Sequence, residues 1–160
     1  MYKRQGYFTS KLSRAINSLE IILKILNLQN VEITKAEALN ERHYGGLTSL
    51  NKDETIKKHG NKQVHIWRRS FDVPPPPMEK THPNHPSKNK IYATLPTEKI
   101  PDSESLKNTF DRVVPYYEQN IKPLLSLEKN ILIVAHGNSL RALCKKLLNI
   151  SFLTKNLEAL

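Results

Sequence analysis

The chain has 160 residues and a formal net charge of +10 at pH 7, a length that allows one domain with a buried core. Its single cysteine, Cys144, excludes an intramolecular disulfide and is expected to be a small buried side chain, and no apolar run is long enough to cross a bilayer. The lysines are scattered rather than clustered with aromatic residues, so the charge argues against a nucleic-acid-binding protein and fits a solvated surface with a few arginines for an anionic ligand.

The first half of the chain alternates helix and strand patterns. The polar residues 1–6 lack the apolar segment of a signal peptide, so we expect a cytoplasmic protein. Ser10 precedes apolar residues at helical spacing and is predicted to cap a helix over residues 12–26. Polar and apolar residues alternate over 31–34, which predicts a short strand. Asn51, with a glutamate three residues later, predicts the capped start of a further helix.

The middle of the chain is interrupted by a long proline-rich segment. A helix is predicted over residues 63–71, and residues 72–102 then show no periodicity. A structureless stretch of this length inside a compact domain is usually functional or disordered. Ser105 leads into another amphipathic helix, which Pro115 is expected to kink or restart. We treat the whole chain, residues 1–160, as one domain of the α/β class with an irregular loop at about 72–102.

A motif near the C-terminal end points to phosphate chemistry. The continuous apolar run 131–135 predicts a parallel strand that is covered on both faces, and 139–148 predicts a helix. His136 lies between them, at the carboxyl end of the strand, where ligands bind in parallel sheets. Gly137 allows a close backbone approach to a ligand, and Asn138 opens a helix whose N-terminus attracts anions. We therefore favour a phosphate site over a histidine that merely satisfies backbone partners.

Four ordered blocks of sequence carry a family resemblance. They are Ala38–Gly45 (ALNERHYG), Leu50–Lys52, Trp67–Arg69 and Ala135–Leu143. Together they resemble the cofactor-dependent phosphoglycerate mutases of the histidine phosphatase superfamily, over about residues 7–157. The resemblance implies a three-layer fold with a mostly parallel sheet. It also implies interconversion of 3-phosphoglycerate and 2-phosphoglycerate in glycolysis and gluconeogenesis, with 2,3-bisphosphoglycerate as cofactor and no metal.

The same resemblance assigns roles to individual residues. Glu41 is the expected acid/base, and Arg14 and His136 are expected to contact the transferring phosphoryl group. The implied substrate-binding set is Tyr44, Lys52, Arg68, Arg69, Gly137 and Asn138. These residue types suit the task, because arginine grips phosphate or carboxylate with two hydrogen bonds and lysine adds a point charge. Ser10 lies near the phosphate pocket by the same resemblance, although a role as helix cap has equal weight.

The sequence departs from the family pattern at its two ends. Family members begin with a strand carrying Arg-His-Gly-Glu, which holds the phosphorylated histidine, and they end with another strand and a mobile tail. We find neither here, and His59–Gly60 follows a helix pattern rather than a strand. We therefore expect a truncated domain with an incomplete sheet, in which residues 131–134 lack a neighbouring strand. A chain without the nucleophile is expected to be inactive alone and less stable.

Three hypotheses about function remain. The first is a split mutase, completed by a separate N-terminal polypeptide and able to form homo-oligomers. The second is a non-catalytic remnant that still binds phosphorylated acids. The third is a basic interaction protein, for example for nucleic acid, in which the old site has no role. His82 and His85 suggest a metal pair only weakly, because no carboxylate or cysteine lies at ligand spacing, and we predict no metal site.

Overall fold

The computed structural model describes residues 5–127 and 130–150. The strands are β1 (Gln5–Ser10), β2 (Ile33–Ala36) and β3 (Asn130–Val134). The helices are α1 (Ser13–Ile25), α2 (Lys52–His59), α3 (Asn61–Arg69), α4 (Leu106–Tyr116), α5 (Lys122–Leu125) and α6 (Gly137–Leu147). Short 3-10 turns occur at Glu37–Leu39, Gly45–Leu47, Pro86–Lys88, Lys90–Tyr92 and Thr97–Lys99, and a π turn at Tyr117–Ile121 follows the helix that contains Pro115.

The three strands form one parallel sheet in the order β2–β1–β3. Tyr7 at the middle strand lies opposite Ile33 on one side and Leu132 on the other. The sequence analysis assigned no strand to residues 5–10. The expectation that residues 131–134 lack a neighbouring strand was wrong, because β1 pairs along β3. Within residues 5–127 and 130–150, however, no strand covers the second edge of β3.

Helices cover both faces of this sheet, which confirms the α/β class and the three-layer arrangement. Because successive strand residues point to opposite faces, Phe8 packs into the cluster that contains Val113 of α4 and Ala142 of α6. Its neighbour Tyr7 packs on the other face with Leu19 of α1. Because β1 and β3 are parallel, their carboxyl ends meet at the same edge of the sheet. Across the described residues, no helix is long and apolar enough to cross a bilayer.

Several element boundaries differ from their sequence predictions. Ser10 does not cap α1, which begins at Ser13 after Leu12, because Ser10 ends β1 instead. The cap at Asn51 is confirmed, since its side chain accepts a hydrogen bond of 2.8 Å from the Asp53 amide. The apolar residues of β3 are only half-buried, because the strand lies at the sheet edge, and Cys144 is half-buried as well.

The proline-rich segment 72–102 has no long helix or strand, as expected, yet it packs closely against the rest of the chain. Pro76 accepts a 2.7 Å hydrogen bond from the Gly46 amide, and His85 Nε2 lies 3.0 Å from Asp102 Oδ1. At Gly45 the φ angle is +54°, and a Cβ there would lie 2.2 Å from the Pro76 oxygen, so glycine is required. No three metal-binding side chains gather in the described part of the chain.

Candidate functional site

His136 lies at the carboxyl end of β3, and both of its ring nitrogens have partners. Arg14 donates from Nε to His136 Nδ1 over 3.1 Å. The neutral imidazole therefore carries its proton on Nε2 and donates it to Ser10 Oγ over 2.7 Å. The adjacent Thr9 hydroxyl donates to the Val134 carbonyl over 2.7 Å, which ties the ends of β1 and β3 together. Ser10 is therefore a partner of the site histidine.

The surroundings of His136 favour its neutral form. Burial lowers the pKa of His136 below its usual value, and the positive charge of Arg14 lowers it further. The carboxylate of Glu41 acts in the opposite direction but is outweighed. The imidazole is therefore uncharged at neutral pH, and Arg14 is the cation beside it.

We expect two substitutions to move the pKa of His136 in opposite directions. Arg14→Met should raise the pKa, because a nearby positive charge is removed, whereas Glu41→Gln should lower it further. Proton NMR titration of the imidazole measures both, and Lys24→Met on α1, away from the site, is the matched control. Because the folded pKa is lowered, the histidine's contribution to stability is present above pH 6.5 and is lost as the pH falls through the folded value. Equal titration curves for Arg14→Met and Lys24→Met would contradict this arrangement.

The proposed acid/base lies on a loop that contacts the start of α6. Asn138 donates from Nδ2 to Glu41 Oε1 and to the Tyr44 hydroxyl, each over 3.0 Å. The Arg42 amide donates to the same Glu41 oxygen over 2.8 Å. Asn138 Oδ1 lies 3.4 Å from Arg141 Nη1, which orients the amide group with its nitrogen toward the carboxylate. Glu41, Tyr44 and Asn138, three of the residues expected at the site, are thus in direct contact.

Arg42 is a site residue that the sequence did not reveal. Its side chain is 2% exposed, and its guanidinium lies 4.6 Å from the centre of the Tyr44 ring, with Arg68 5.3 Å from the same ring. Nη2 donates to the Arg68 carbonyl over 3.3 Å, but Nε and Nη1 have no partner among the described residues. Because arginines are mostly exposed, no local pattern in the sequence indicates that Arg42 is buried, and only the folded structure shows it.

A cavity of about 470 Å³ opens beside Glu41. His136 and Asn138 do not line it, but they contact Arg14 and Glu41, which do. Its lining includes Glu41, Tyr44 and the arginines 14, 42 and 68, together with the proline-rich segment. Three guanidinium groups beside one carboxylate and a phenol can bind a small multivalent anion and exchange a proton with it. The cavity is therefore suited to a phosphorylated acid.

Three residues of the expected substrate-binding set lie elsewhere. Lys52 at the start of α2 and Arg69 at the end of α3 are exposed and do not line the cavity. Gly137 is exposed, and a Cβ there would meet no atom within 4 Å, so open space surrounds the helix start. All three positions lie at the ends of helices, and none of them lines the cavity.

Curated relatives share much of this sequence. The chain is 49% identical over 144 residues to the 2,3-bisphosphoglycerate-dependent phosphoglycerate mutase of Hydrogenobaculum sp. (strain Y04AAS1), covering 90% of the chain and 58% of that protein. It is 55% identical over 144 residues to the protein of the same name from Zymomonas mobilis subsp. mobilis, covering 90% and 62%. The chain thus spans about three fifths of the length of these relatives.

The fold and a family model agree with this similarity. The structure of mycobacterial glucosyl-3-phosphoglycerate phosphatase is similar with a TM-score of 0.65 at 17% identity, over 97% of this chain and 62% of that one. At that identity the likeness shows the fold. Residues 2–85, more than half of the sequence, match the model of the histidine phosphatase superfamily (branch 1). The resemblance stated from the sequence is confirmed, and the chain belongs to the histidine phosphatase superfamily.

Proposed function

We propose that this chain is of the phosphoglycerate mutase type and that its cavity binds a phosphoglycerate. The observation that carries the proposal is the cavity that Glu41 lines together with three arginines, one of which, Arg42, is only 2% exposed. Positive charges gathered around one cavity repel one another, and an anionic ligand bound between them would remove that repulsion. Arg14 and Arg68 add two further positive charges on the same cavity. The names of the relatives agree with this substrate class.

The residues present also fit 2,3-bisphosphoglycerate as the cofactor. Three arginines around about 470 Å³ match an anion that carries a phosphate at each end and a carboxylate. When bound, that compound would supply the phosphoryl group that the mutase reaction moves. We propose no metal, because the arginines themselves supply the positive charge.

Each side chain then has a distinct task. Glu41 removes a proton from a substrate hydroxyl and later returns it, and the amide of Asn138 holds its carboxylate in place at 3.0 Å. Arg14 stabilises the charge that develops on the phosphoryl oxygens, and the neutral His136 orients that guanidinium by accepting a hydrogen bond from Arg14 Nε over 3.1 Å. Tyr44 is held over Arg42 and Arg68, so it shapes the cavity wall.

We further propose that the chain alone does not complete a mutase cycle. The mechanism requires a histidine that accepts the phosphoryl group, and His136 is poorly suited because Nδ1 is occupied by Arg14 and Nε2 carries a proton bonded to Ser10. A separate N-terminal polypeptide would supply the missing histidine on a strand. The free edge of β3, seen among the described residues, supports this partner, because a parallel strand there would end beside His136. The completed protein would act in cytoplasmic glycolysis and gluconeogenesis.

Binding of 3-phosphoglycerate to the isolated chain tests the substrate class. Arg68→Gln should weaken binding by about 10-fold or more, since a hydrogen bond to a charged group contributes about 1.5–3 kcal/mol. Lys58→Gln, which removes an exposed charge from α2 outside the cavity, should leave the affinity within about twofold. Calorimetry or NMR titration gives both values. No binding to the unaltered chain, or equal binding by the two variants, would contradict the proposal. Salt-dependent nucleic-acid binding that survives loss of Arg14 and Arg68 would favour the basic interaction protein instead.

A further inference from the structure

An ion pair between the half-buried Arg112 and the buried Glu104 lies behind the site and contacts the loop that carries Glu41. Arg112 of α4 donates from Nε to Glu104 Oε1 over 2.7 Å and from Nη2 to Glu104 Oε2 over 2.9 Å. The same guanidinium donates to the carbonyl oxygens of Ala38 at 2.7 Å, Asn40 at 3.0 Å and Glu41 at 3.2 Å. One side chain thus holds three backbone carbonyls on the approach to the acid/base.

We propose that Arg112, oriented by Glu104, is a positioning residue for Glu41. The inference rests on the proposed function, in which Glu41 exchanges protons with the substrate. Arg112 itself does not line the cavity beside Glu41 and lies on the opposite side of the loop, so it acts through the backbone.

The loop needs such support because it has no regular structure of its own. Residues 40–44 lie between two short 3-10 turns, and no helix or strand fixes their backbone. A misplacement of about 1 Å in a catalytic group can reduce the rate by about 100-fold. The fork of an arginine suits this task, because its planar donors hold several acceptors in a fixed geometry, which the point charge of lysine cannot do.

Glu104 fixes the other end of the same loop. Its side chain is 4% exposed, and Oε2 accepts a 2.9 Å hydrogen bond from the His43 amide, while the Glu104 amide donates to the His43 carbonyl over 2.8 Å. The ion pair therefore holds the loop both before and after Glu41. Because α4 packs with α6 in one core cluster, the loop is also held in register with Asn138.

The side-chain amide of Asn138 offers a readout that is specific for the position of Glu41. Its nitrogen donates to Glu41 Oε1, so its proton and nitrogen resonances should move when the carboxylate is removed in Glu41→Ala. We expect Arg112→Lys to move the same resonances in the same direction. Lys107→Gln, which removes an exposed charge from the same helix, should leave them unchanged. Backbone amide resonances of β1 and β3 report whether the fold is retained. If Arg112 had only a structural role, its replacement would shift these resonances together with the Asn138 signal, and not the Asn138 signal by itself.

The experiment uses the whole chain without ligand, so its outcome does not depend on 3-phosphoglycerate binding. The proposal would be overturned if the Asn138 resonances kept their wild-type positions in folded Arg112→Lys. It would also be overturned if Glu41→Ala did not move these resonances. If Arg112→Lys does not fold, Glu104→Gln replaces it, because Gln keeps the shape and removes the charge that orients the guanidinium. A failure of ligand binding with a shifted Asn138 signal would refute the substrate class and leave the positioning role intact.

Discussion

Arg112→Met is expected to lower the free energy of unfolding by about 3 kcal/mol, the lower end of the effect of breaking a buried ion pair, because Glu104 is buried whereas Arg112 is 24% exposed. The carboxylate of Glu104 is 4% exposed and would lose both of its contacts with the guanidinium. The carbonyls of Ala38, Asn40 and Glu41 would lose a donor at the same time. Since small domains have stabilities of about 5–15 kcal/mol, this one change removes a large part of the total.

Urea denaturation of the wild type and the variant measures this effect. Lys107→Met breaks the exposed pair with Asp111 on the same helix and should cost at most about 0.5 kcal/mol. If both variants lost the same small amount of unfolding free energy, Arg112 would not be needed to compensate the buried charge of Glu104.

The difference in the free energy of unfolding between the wild type and Arg112→Met should also depend on pH. Burial alone would raise the pKa of Glu104, but the hydrogen bonds and charge of Arg112 outweigh it, and the pKa lies below the ordinary 4.5. A carboxyl group with a lowered folded pKa contributes stability that is present above the unfolded value and is lost as the pH falls through the folded value. The difference in unfolding free energy between the two proteins should therefore be largest near neutral pH and should decrease below pH 4.5.

Local signals in the sequence predicted the parts of the fold that depend on neighbouring residues. The cap at Asn51 and the strand that runs into His136 are set by short-range pattern and were found as expected. Strand β1 was missed because Gln5 and Gly6 break the apolar run and the remaining stretch is too short to show a period.

The contacts that build the site could not be read from local pattern. Arg112 is separated by 71 to 74 residues from the carbonyls that it holds, and Ser10 by 126 residues from His136. A buried role for Arg42 depends in the same way on distant packing. The resemblance to a family identified the residues with chemical roles, whereas the residues that support them from behind carry no such signature in the sequence.

Incubation of the isolated chain with 2,3-bisphosphoglycerate should yield no phosphohistidine and no mutase turnover. A covalent mechanism depends on its nucleophile, and loss of the nucleophile in subtilisin lowers kcat by about six orders of magnitude. His136 is not expected to substitute for it, because Arg14 and Ser10 occupy both ring nitrogens. Moving the acceptor would also disturb the alignment between the phosphoryl group and the substrate.

Addition of a peptide that carries an apolar strand followed by Arg-His-Gly-Glu should change this result. We expect the peptide to pair with the edge of β3 that no strand within residues 5–127 and 130–150 covers, to become phosphorylated on its own histidine and to restore turnover. The same peptide with alanine in place of its histidine should bind without phosphorylation, which separates strand pairing from chemistry. Mass spectrometry locates the phosphoryl group in each mixture. A stable phosphohistidine at His136 in the chain alone would show that the nucleophile is already present and that no partner is required.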